Sequence, residues 1–383
     1  MTDGPASRGD GPPAVRTHLE AILSVELEDR NASAFVHAGS ADEPAVAYCL
    51  AASERAPVAV GADRASSAVA YDGDDWLVRS SDRSRSDDGR PADRLAADLA
   101  DRVTGETVLT PAYVPHDAAL YLEDRGLSLA SSDVLERARA TKTDAERDRI
   151  ESVQRAAGAG VRRAAALLAD AAIADGASTG DGSAAGGRRL VLDGRELTPR
   201  RLDRAIDEAI VAAGAYPAGT TVVEPGSDGV LRPGEPIVLA VAPRGPDGYR
   251  GGLVRTLVVE SDGGRERRAH VAITQAFRSA RTMLAAGTES VTAVEADLEA
   301  EIRAFGEDGP IETRASGIGL EPRERPIDGG DEIGPGSLVR LEAAVRVDDD
   351  RWIRLADVVS KREENADRLD APSRSLVPEN LLE

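Results

Sequence analysis

The chain has 383 residues, which at roughly 150 residues per domain is enough for two or three domains. Its formal net charge of -21 argues against a nucleic-acid binder that depends on overall basic charge and against docking on an anionic membrane. No stretch approaches the roughly 18 consecutive apolar residues of a transmembrane helix. The first residues lack a basic start followed by an apolar run, so we predict no signal peptide and a cytoplasmic location.

The basic residues are unusual in kind, because lysine occurs only at Lys142 and Lys361 and all the others are arginine. An acidic chain with scarce lysine is typical of a high-salt cytoplasm, where surface carboxylates keep a protein solvated and salt screens their repulsion. We therefore predict an acidic, halophilic protein. The alternative is an acidic disordered chain or tail. The hydrophobic fraction of 41% and the spread of negative charge along the sequence argue against it.

The N-terminal third predicts a compact α/β domain over residues 16–138, because runs of strand type alternate with helical spacing. Residues 1–15 are rich in Gly, Pro, Ser and Asp, and we predict a disordered tail there. The single cysteine, Cys49, excludes an intrachain disulfide, and its apolar surroundings indicate a core thiol rather than a nucleophile. The predicted elements are a helix over 18–28, strands over 34–37, 45–48 and 56–60, a hairpin over 71–76, a helix over 91–103 and a strand over 107–110.

Residues 139–375 combine long helices with strands, which predicts a second domain of α+β type, followed by a tail over 376–383. Residues 175–187 indicate a flexible loop, and their glycines lack the spacing of a dinucleotide-binding motif. The predicted elements are a long helical segment over 139–174, a helix over 198–213 with Thr198 as its N-cap, strands over 221–223, 237–242 and 253–260, helices over 266–285 and 290–305, and strands over 338–347 and 352–359.

Six segments of this second domain carry a family resemblance. They are Arg139–Glu146, Leu231–Ala242, Tyr249–Thr256, Ala315–Leu320, Pro335–Glu342 and Arg354–Asp357. In order and spacing they resemble the motifs of the pita-bread metallopeptidases, the family of methionine aminopeptidase, Xaa-Pro dipeptidase (prolidase) and aminopeptidase P. With a smaller α/β domain in front, the resemblance favours the prolidase, aminopeptidase P and creatinase branch. It implies an α+β pita-bread fold preceded by a creatinase-like N-terminal domain.

The resemblance also implies a metal site, because the family uses two Asp, one His and two Glu to hold two divalent metals that share a bridging water. In this sequence the matching positions, called here the five candidate ligand positions, are Ala240, Gly252, Ser316, Glu342 and Ala356. Only Glu342 keeps a ligand side chain. We therefore predict that the protein holds no metal cofactor. The alternative to a simple ion pair of Glu342 with Arg255, Arg340 or Arg354 is residual acid or base chemistry, or one ligand of a weak metal site, and we favour the ion pair.

The residues that flank the five candidate ligand positions indicate that the segments are correctly matched to the family motifs. Arg255, Thr256 and Arg354 keep the residue types that would support the ligands, whereas Arg323 stands where the family has a histidine. Mis-registration is the alternative, and the retained flanking residues disfavour it. No histidine of the chain replaces the missing ligand within the motifs. The histidines are His18, His37, His116 and His270.

These substitutions predict a degenerate homologue of the Xaa-Pro peptidases that is metal-free and non-catalytic and binds a peptide or protein partner in the former cleft. Non-enzymatic members of the fold, such as the large subunit of the FACT histone chaperone, bind proteins. The alternative is an active Xaa-Pro dipeptidase or aminopeptidase with an altered site and two divalent metals such as Mn or Co. The resemblance suggests a homodimer, and we expect neither a nucleic-acid nor a membrane partner.

Overall fold

A computed structural model describes residues 14–53, 66–81, 90–175, 187–226, 229–348 and 350–382. The chain divides into two compact units. The smaller one comprises Met1–Arg139 with Thr143–Ala145, and the larger one comprises Ala140–Lys142 with Glu146–Glu383. Within the described ranges, none of the helices combines the length and the apolar character needed to span a bilayer.

The smaller unit is a five-stranded sheet with helices packed against it. Its elements are α1 (Ala14–Asp29), β1 (Ala34–Ser40), α2 (Pro44–Ala52), β2 (Ser66–Tyr71), β3 (Trp76–Ser80), α3 (Pro91–Ala100), β4 (Thr107–Thr110), α4 (His116–Glu123), β5 (Ser128–Ser131) and α5 (Val134–Ala140). The strand order is β3-β2-β1-β4-β5, antiparallel from β3 to β1 and parallel from β1 to β5. Helix α3 buries Leu95 and Leu99, one turn apart, in the core of this sheet.

The larger unit is built on a seven-stranded antiparallel sheet of order β13-β15-β16-β11-β10-β9, with β17 paired to β16. Its elements are α6 (Asp144–Ala169), β6 (Ala172–Ala174), β7 (Arg189–Leu192), β8 (Arg195–Glu196), α7 (Pro199–Ala212), β9 (Val222–Glu224), β10 (Ile237–Val241), β11 (Leu253–Leu257), α8 (Arg265–Ala286), β12 (Glu289–Ser290), α9 (Val291–Ala304), β13 (Ile311–Gly317), β14 (Glu332–Ile333), β15 (Leu338–Arg346), β16 (Trp352–Lys361), β17 (Ala366–Arg368) and a final 3₁₀ turn (Pro378–Leu381). This architecture confirms the predicted α+β class.

One face of the seven-stranded sheet packs against the helices. Leu239 of β10 belongs to the core formed with α6 and α7, whereas Leu341 and Leu355 of β15 and β16 belong to the core formed with α8 and α9. Phe277 of α8 is completely buried there, which stabilises the fold by about 1.5–3 kcal/mol. Since side chains alternate along a strand, the residues next to Leu239, Leu341 and Leu355 lie on the opposite face of the sheet.

Most predicted elements of both units are confirmed, with two corrections. Residues 45–48 do not form a strand, because Pro44 at the first helical position starts helix α2, which buries its apolar side chains. The helical segment predicted over 139–174 is interrupted between α5 and α6 and ends in strand β6. The strand predicted over 56–60, nearly all of the tail over 1–15 and most of the loop over 175–187 lie outside the described residues.

Candidate functional site

Strand register brings three of the five candidate ligand positions into one row across the larger sheet. Ala240 of β10 lies opposite Val254 of β11, and Val254 lies opposite Ala356 of β16. Ala356 lies in turn opposite Glu342 of β15. Directly opposed residues of antiparallel strands project on the same side of the sheet. The row therefore lies on the face turned away from the helical cores.

The remaining two positions lie on the same face, one step along the strands. Gly252 immediately precedes β11 and is two residues before Val254. Ser316 of β13 lies opposite Arg340, which is two residues before Glu342 on β15. Residues two apart share a face. The sheet thus gathers the five positions that the sequence motifs singled out, although together they span more than a hundred residues of the chain.

The centre of this face is apolar. Val238, Val254 and Ala356 form a buried hydrophobic cluster, and Ala240 packs against it. Aliphatic side chains offer no lone pair to a cation, and carboxylates placed among them without a cation would carry a desolvation cost. Small neutral residues are therefore physically consistent with a face that holds no metal.

An arginine occupies the space that the small residues leave. The Arg340 guanidinium lies 2.7 Å from a carboxylate oxygen of Glu342, and both side chains are about three-quarters or more buried. A Cβ atom built on Gly252 would lie 2.9 Å from Cδ of Arg340, so the arginine passes directly over Gly252. The carboxylate of Glu342 is thus already compensated by a fixed cation. This confirms that Glu342 pairs with Arg340, one of the three predicted partners.

These residues do not fit the two-metal centre that the motifs imply. Of the five positions only Glu342 carries a metal-binding side chain, and a guanidinium is its partner. Elsewhere in the described ranges, no group of three or more His, Cys, Asp and Glu side chains is arranged to share a metal ion. A tight transition-metal site needs several such ligands with supporting partners.

Arg255 lies on the other face of the sheet and is completely buried. Its guanidinium donates to Asp357 at 2.7 Å and also to backbone carbonyls, among them Ala356 at 2.9 Å and Pro372 at 3.0 Å. Arg374 donates to the same carboxylate at 2.6 Å. Burial alone would raise the pKa of Asp357, but the positive charges of the surrounding arginines hold it below its usual value. Arg255 therefore stabilises the sheet on the face opposite the candidate site, where it connects β11 to β16 and to the segment around Pro372.

Thr256, Arg354 and Arg323 lie around the site in different settings. The hydroxyl of Thr256 donates to the backbone carbonyl of Arg354 at 2.9 Å and accepts from its backbone N–H at 2.8 Å, which joins β11 to β16. The Arg354 side chain pairs with Glu224 at 3.3 Å and lies over the ring of Trp352. Arg323 is exposed on the turn that follows the Gly-Ile-Gly segment.

Neither the histidines nor the cysteine lies among the five candidate ligand positions. His270 of α8 contacts the carbonyl of Arg374, and burial lowers its pKa. Burial also lowers the pKa of His37, to about 4. The thiol of Cys49 is completely buried, and burial raises its pKa to about 12, as expected for a core thiol. His18 and His116 belong, like His37 and Cys49, to the smaller unit.

Sequence reasoning missed Gln154, which fixes Gly252. The side-chain amide of Gln154 donates to the Gly252 carbonyl at 3.1 Å and accepts from the Gly252 N–H at 2.9 Å. Gln154 is fully buried on α6, among apolar residues that pack on the sheet. The sequence does carry a sign of this contact, because Gln154 is an amide among the apolar residues on the buried side of α6, and a buried amide needs hydrogen-bond partners.

A second missed pair connects two motifs. Lys142 Nζ donates to Glu324 Oε1 at 2.6 Å, and both side chains are almost completely buried. Gly319 lies against this carboxylate so closely that a Cβ atom would collide with it. The first motif and the Gly-Ile-Gly turn are therefore held together by a buried ion pair.

Comparison with known proteins identifies the family of the larger unit. The profile of metallopeptidase family M24 matches residues 148–362, and no curated protein matches the sequence. The prolidase of Pyrococcus horikoshii is 16% identical, with a TM-score of 0.68 over 94% of this chain and 99% of that chain. An Xaa-Pro dipeptidase of Bacillus anthracis is 12% identical, with a TM-score of 0.72 over 94% and 99% of the two chains. The N-terminal domain of a FACT complex subunit of Cicer arietinum is 13% identical, with a TM-score of 0.65 over 96% and 98%.

These similarities extend over both units, so the fold is that of the prolidases, a pita-bread domain preceded by a smaller α/β domain. Identities this low establish the fold alone. The family profile, in contrast, spans more than half of the sequence. The chain therefore belongs to metallopeptidase family M24.

Proposed function

We propose that this chain is a non-catalytic member of the family that binds a peptide or protein partner at the face carrying the five candidate ligand positions. The observation that supports this most directly is the Arg340–Glu342 ion pair over Gly252. It places a permanent protein cation beside two of the positions where the family motifs call for metal ligands.

The chemistry of this pair is unsuited to hydrolysis. Arginine stays protonated in proteins, so Arg340 cannot act as a general base. A carboxylate oxygen of Glu342 lies 2.7 Å from that guanidinium, so the nearest partner of Glu342 is a fixed protein cation rather than a metal ion. The similarity in fold to a FACT complex subunit, named as part of an assembly rather than as a peptidase, agrees with a binding role.

Two measurements on the full-length protein test the proposal. Elemental analysis after purification at high salt should find no stoichiometric Mn, Co, Zn or Fe. Incubation with Xaa-Pro dipeptides and longer Xaa-Pro peptides, with and without added Mn²⁺ or Co²⁺, should give no cleavage. Hydrolysis that is abolished by Glu342→Gln and retained by Glu312→Gln, on the neighbouring strand β13, would show an active enzyme with an altered site.

Restoring the ligands tests whether the five positions form one site. The variant Ala240→Asp, Gly252→Asp, Ser316→His and Ala356→Glu should remain without metal while Arg340 lies over Gly252. Adding Arg340→Ala should remove the competing cation, and we expect calorimetry to detect Mn²⁺ binding only then. Tight Mn²⁺ binding needs several ligands at once, so a variant with only one of the four replacements should bind no Mn²⁺. If the variant with all four ligand replacements and Arg340→Ala folds but binds no Mn²⁺, the proposed assignment of the five candidate ligand positions is wrong.

Three further proposals concern the environment and the assembly of the protein. We propose that the protein is halophilic, so that its melting temperature rises from low to molar KCl as salt screens the net charge of -21. A flat response would contradict this. We also propose a cytoplasmic homodimer, as the resemblance suggests. Light scattering at molar KCl measures the oligomeric state, and fractionation of the source cells measures the location.

A further inference from the structure

Two arginines lie side by side at the end of the larger sheet, beyond strands β10 and β11. Arg244 is paired across the backbone with Tyr216 on one side and with Arg250 on the other. The Tyr216 and Arg244 backbones exchange two hydrogen bonds of 2.8 Å, and the N–H of Arg250 donates to Gly319 at 2.7 Å. The backbone of this row, called here the Tyr216–Arg244–Arg250 row, is therefore fixed at both ends.

The two guanidinium groups have no acidic partner. Neither Arg244 nor Arg250 forms an ion pair or a side-chain hydrogen bond with any described residue, and the Nε atom of each is buried without a partner. The acidic residue between them in the sequence is engaged elsewhere, because Asp247 pairs with Arg149 at 3.8 Å.

This arrangement is costly for the protein alone. Directly opposed residues of antiparallel strands have Cβ atoms about 4.5–5.5 Å apart, and like charges at that distance destabilise the pair. Burial lowers the pKa of Arg250, and the charge of Arg244 lowers it further. Two half-buried cations thus lie next to each other with no carboxylate paired to either one among the described residues, and a bound anion would supply the missing counter-charge.

We propose that the Tyr216–Arg244–Arg250 row binds an oxyanion, the phosphate or carboxylate group of a ligand. Guanidinium groups present planar pairs of donors that match phosphate and carboxylate oxygens. Tyr216 is 45% exposed and lies opposite Arg244 in the row, so we include its hydroxyl as a further donor in the proposal. The inference goes beyond the proposed function and stands whether or not the chain cleaves peptides.

Calorimetric titration of the full-length protein tests the site, with potassium phosphate in one arm and potassium acetate in the other, both at constant ionic strength in KCl. We expect saturable binding of one anion per chain in at least one arm, and the stronger arm identifies the ligand group. Arg244→Gln and Arg250→Gln should each weaken it by about tenfold, the effect of losing one charge-assisted hydrogen bond. Tyr216→Phe should weaken it less.

The control is Arg303→Gln, which removes the same charge from an arginine of α9 that pairs with Glu299 at 2.7 Å. It should leave anion binding unchanged. Without any added oxyanion, Arg250→Gln should melt at or above the temperature of the unmodified protein, because it relieves repulsion. No saturable binding in either arm, equal weakening by Arg303→Gln, or a lower melting temperature for anion-free Arg250→Gln would each overturn the proposal.

Discussion

The two faces of the larger sheet each carry an arginine–carboxylate pair with an N–O distance of 2.7 Å, yet their surroundings differ. Arg255 and Asp357, on the face that carries the helical cores, are both completely buried. Arg340 and Glu342, on the other face, keep 19% and 26% of their side chains exposed. Equal distances therefore do not imply equal roles.

The difference lies in how completely each pair is satisfied. Asp357 is surrounded by Arg255, Arg374 and Arg368, and Arg255 spends its remaining donors on backbone carbonyls. On the opposite face, Nε of Arg340 is buried with no hydrogen-bond partner among the described residues. The Arg255 guanidinium, whose donors are all engaged, holds the fold together, whereas the Arg340 guanidinium retains a donor for a ligand.

The largest expected effect comes from breaking the buried pair. Asp357→Ala leaves three arginines without their shared carboxylate, and we expect a loss of about 3–5 kcal/mol in the free energy of unfolding. Urea denaturation at fixed KCl concentration measures it. The control is Asp367→Ala, which removes an exposed aspartate that lies 3.8 Å from Arg281 and should cost less than about 1 kcal/mol.

The pH dependence of Asp357→Asn sharpens the same prediction. Because the folded-state pKa of Asp357 is lowered, its contribution to stability is fully present above the unfolded-state value of about 3.9 and is lost as the pH falls through the folded-state pKa. The difference in stability between the unmodified protein and Asp357→Asn should be constant from pH 7 to about 5 and shrink at lower pH. A difference that grows with acidity would show that Asp357 does not titrate as described.

A smaller effect is expected on the opposite face, from filling the space beneath Arg340. Gly252→Ala places a Cβ atom 2.9 Å from Cδ and 3.1 Å from Nε of Arg340, so we expect a loss of about 1–3 kcal/mol. Arg340→Ala in the same chain should recover most of this loss, as a double-mutant cycle in urea would show. If the cost of Gly252→Ala persists without Arg340, the strain arises elsewhere, for example at Ile318.

The sequence was sufficient to predict much of this comparison. The family motifs correctly indicated the fold, and strand alternation explains why Ala240, Ala356 and Glu342 share a face. The position of Arg255 on the other face also follows from strand alternation, because Arg255 is three residues after Gly252 and residues an odd number apart on a strand lie on opposite faces. Counting along the strand therefore excludes Arg255 as a partner of Glu342.

The charge network could not be predicted, because it depends on long-range packing. Which of three arginines pairs with Glu342, and which buried amide holds Gly252, depends on side-chain positions that no local pattern encodes. The strand predicted over residues 45–48 is wrong for a different reason. Periodicity does not distinguish a buried strand from a buried helix, and Pro44 was the only local sign of a helix start.

The smallest expected effect concerns the coupling within the exposed pair. A double-mutant cycle of Arg340→Gln and Glu342→Gln should give less than about 1 kcal/mol, because solvent reaches both side chains and screens their attraction. Raising KCl from 0.1 to 2 M should reduce that coupling toward zero, since the Debye length falls from about 10 Å to below about 3 Å. The cycle of Arg255→Gln and Asp357→Asn should change little over the same range, because no solvent ions reach a pair that is completely buried. Equal salt dependence of the two couplings would show that the two faces do not differ as described, and Arg340 would then belong to the fold rather than to a binding surface.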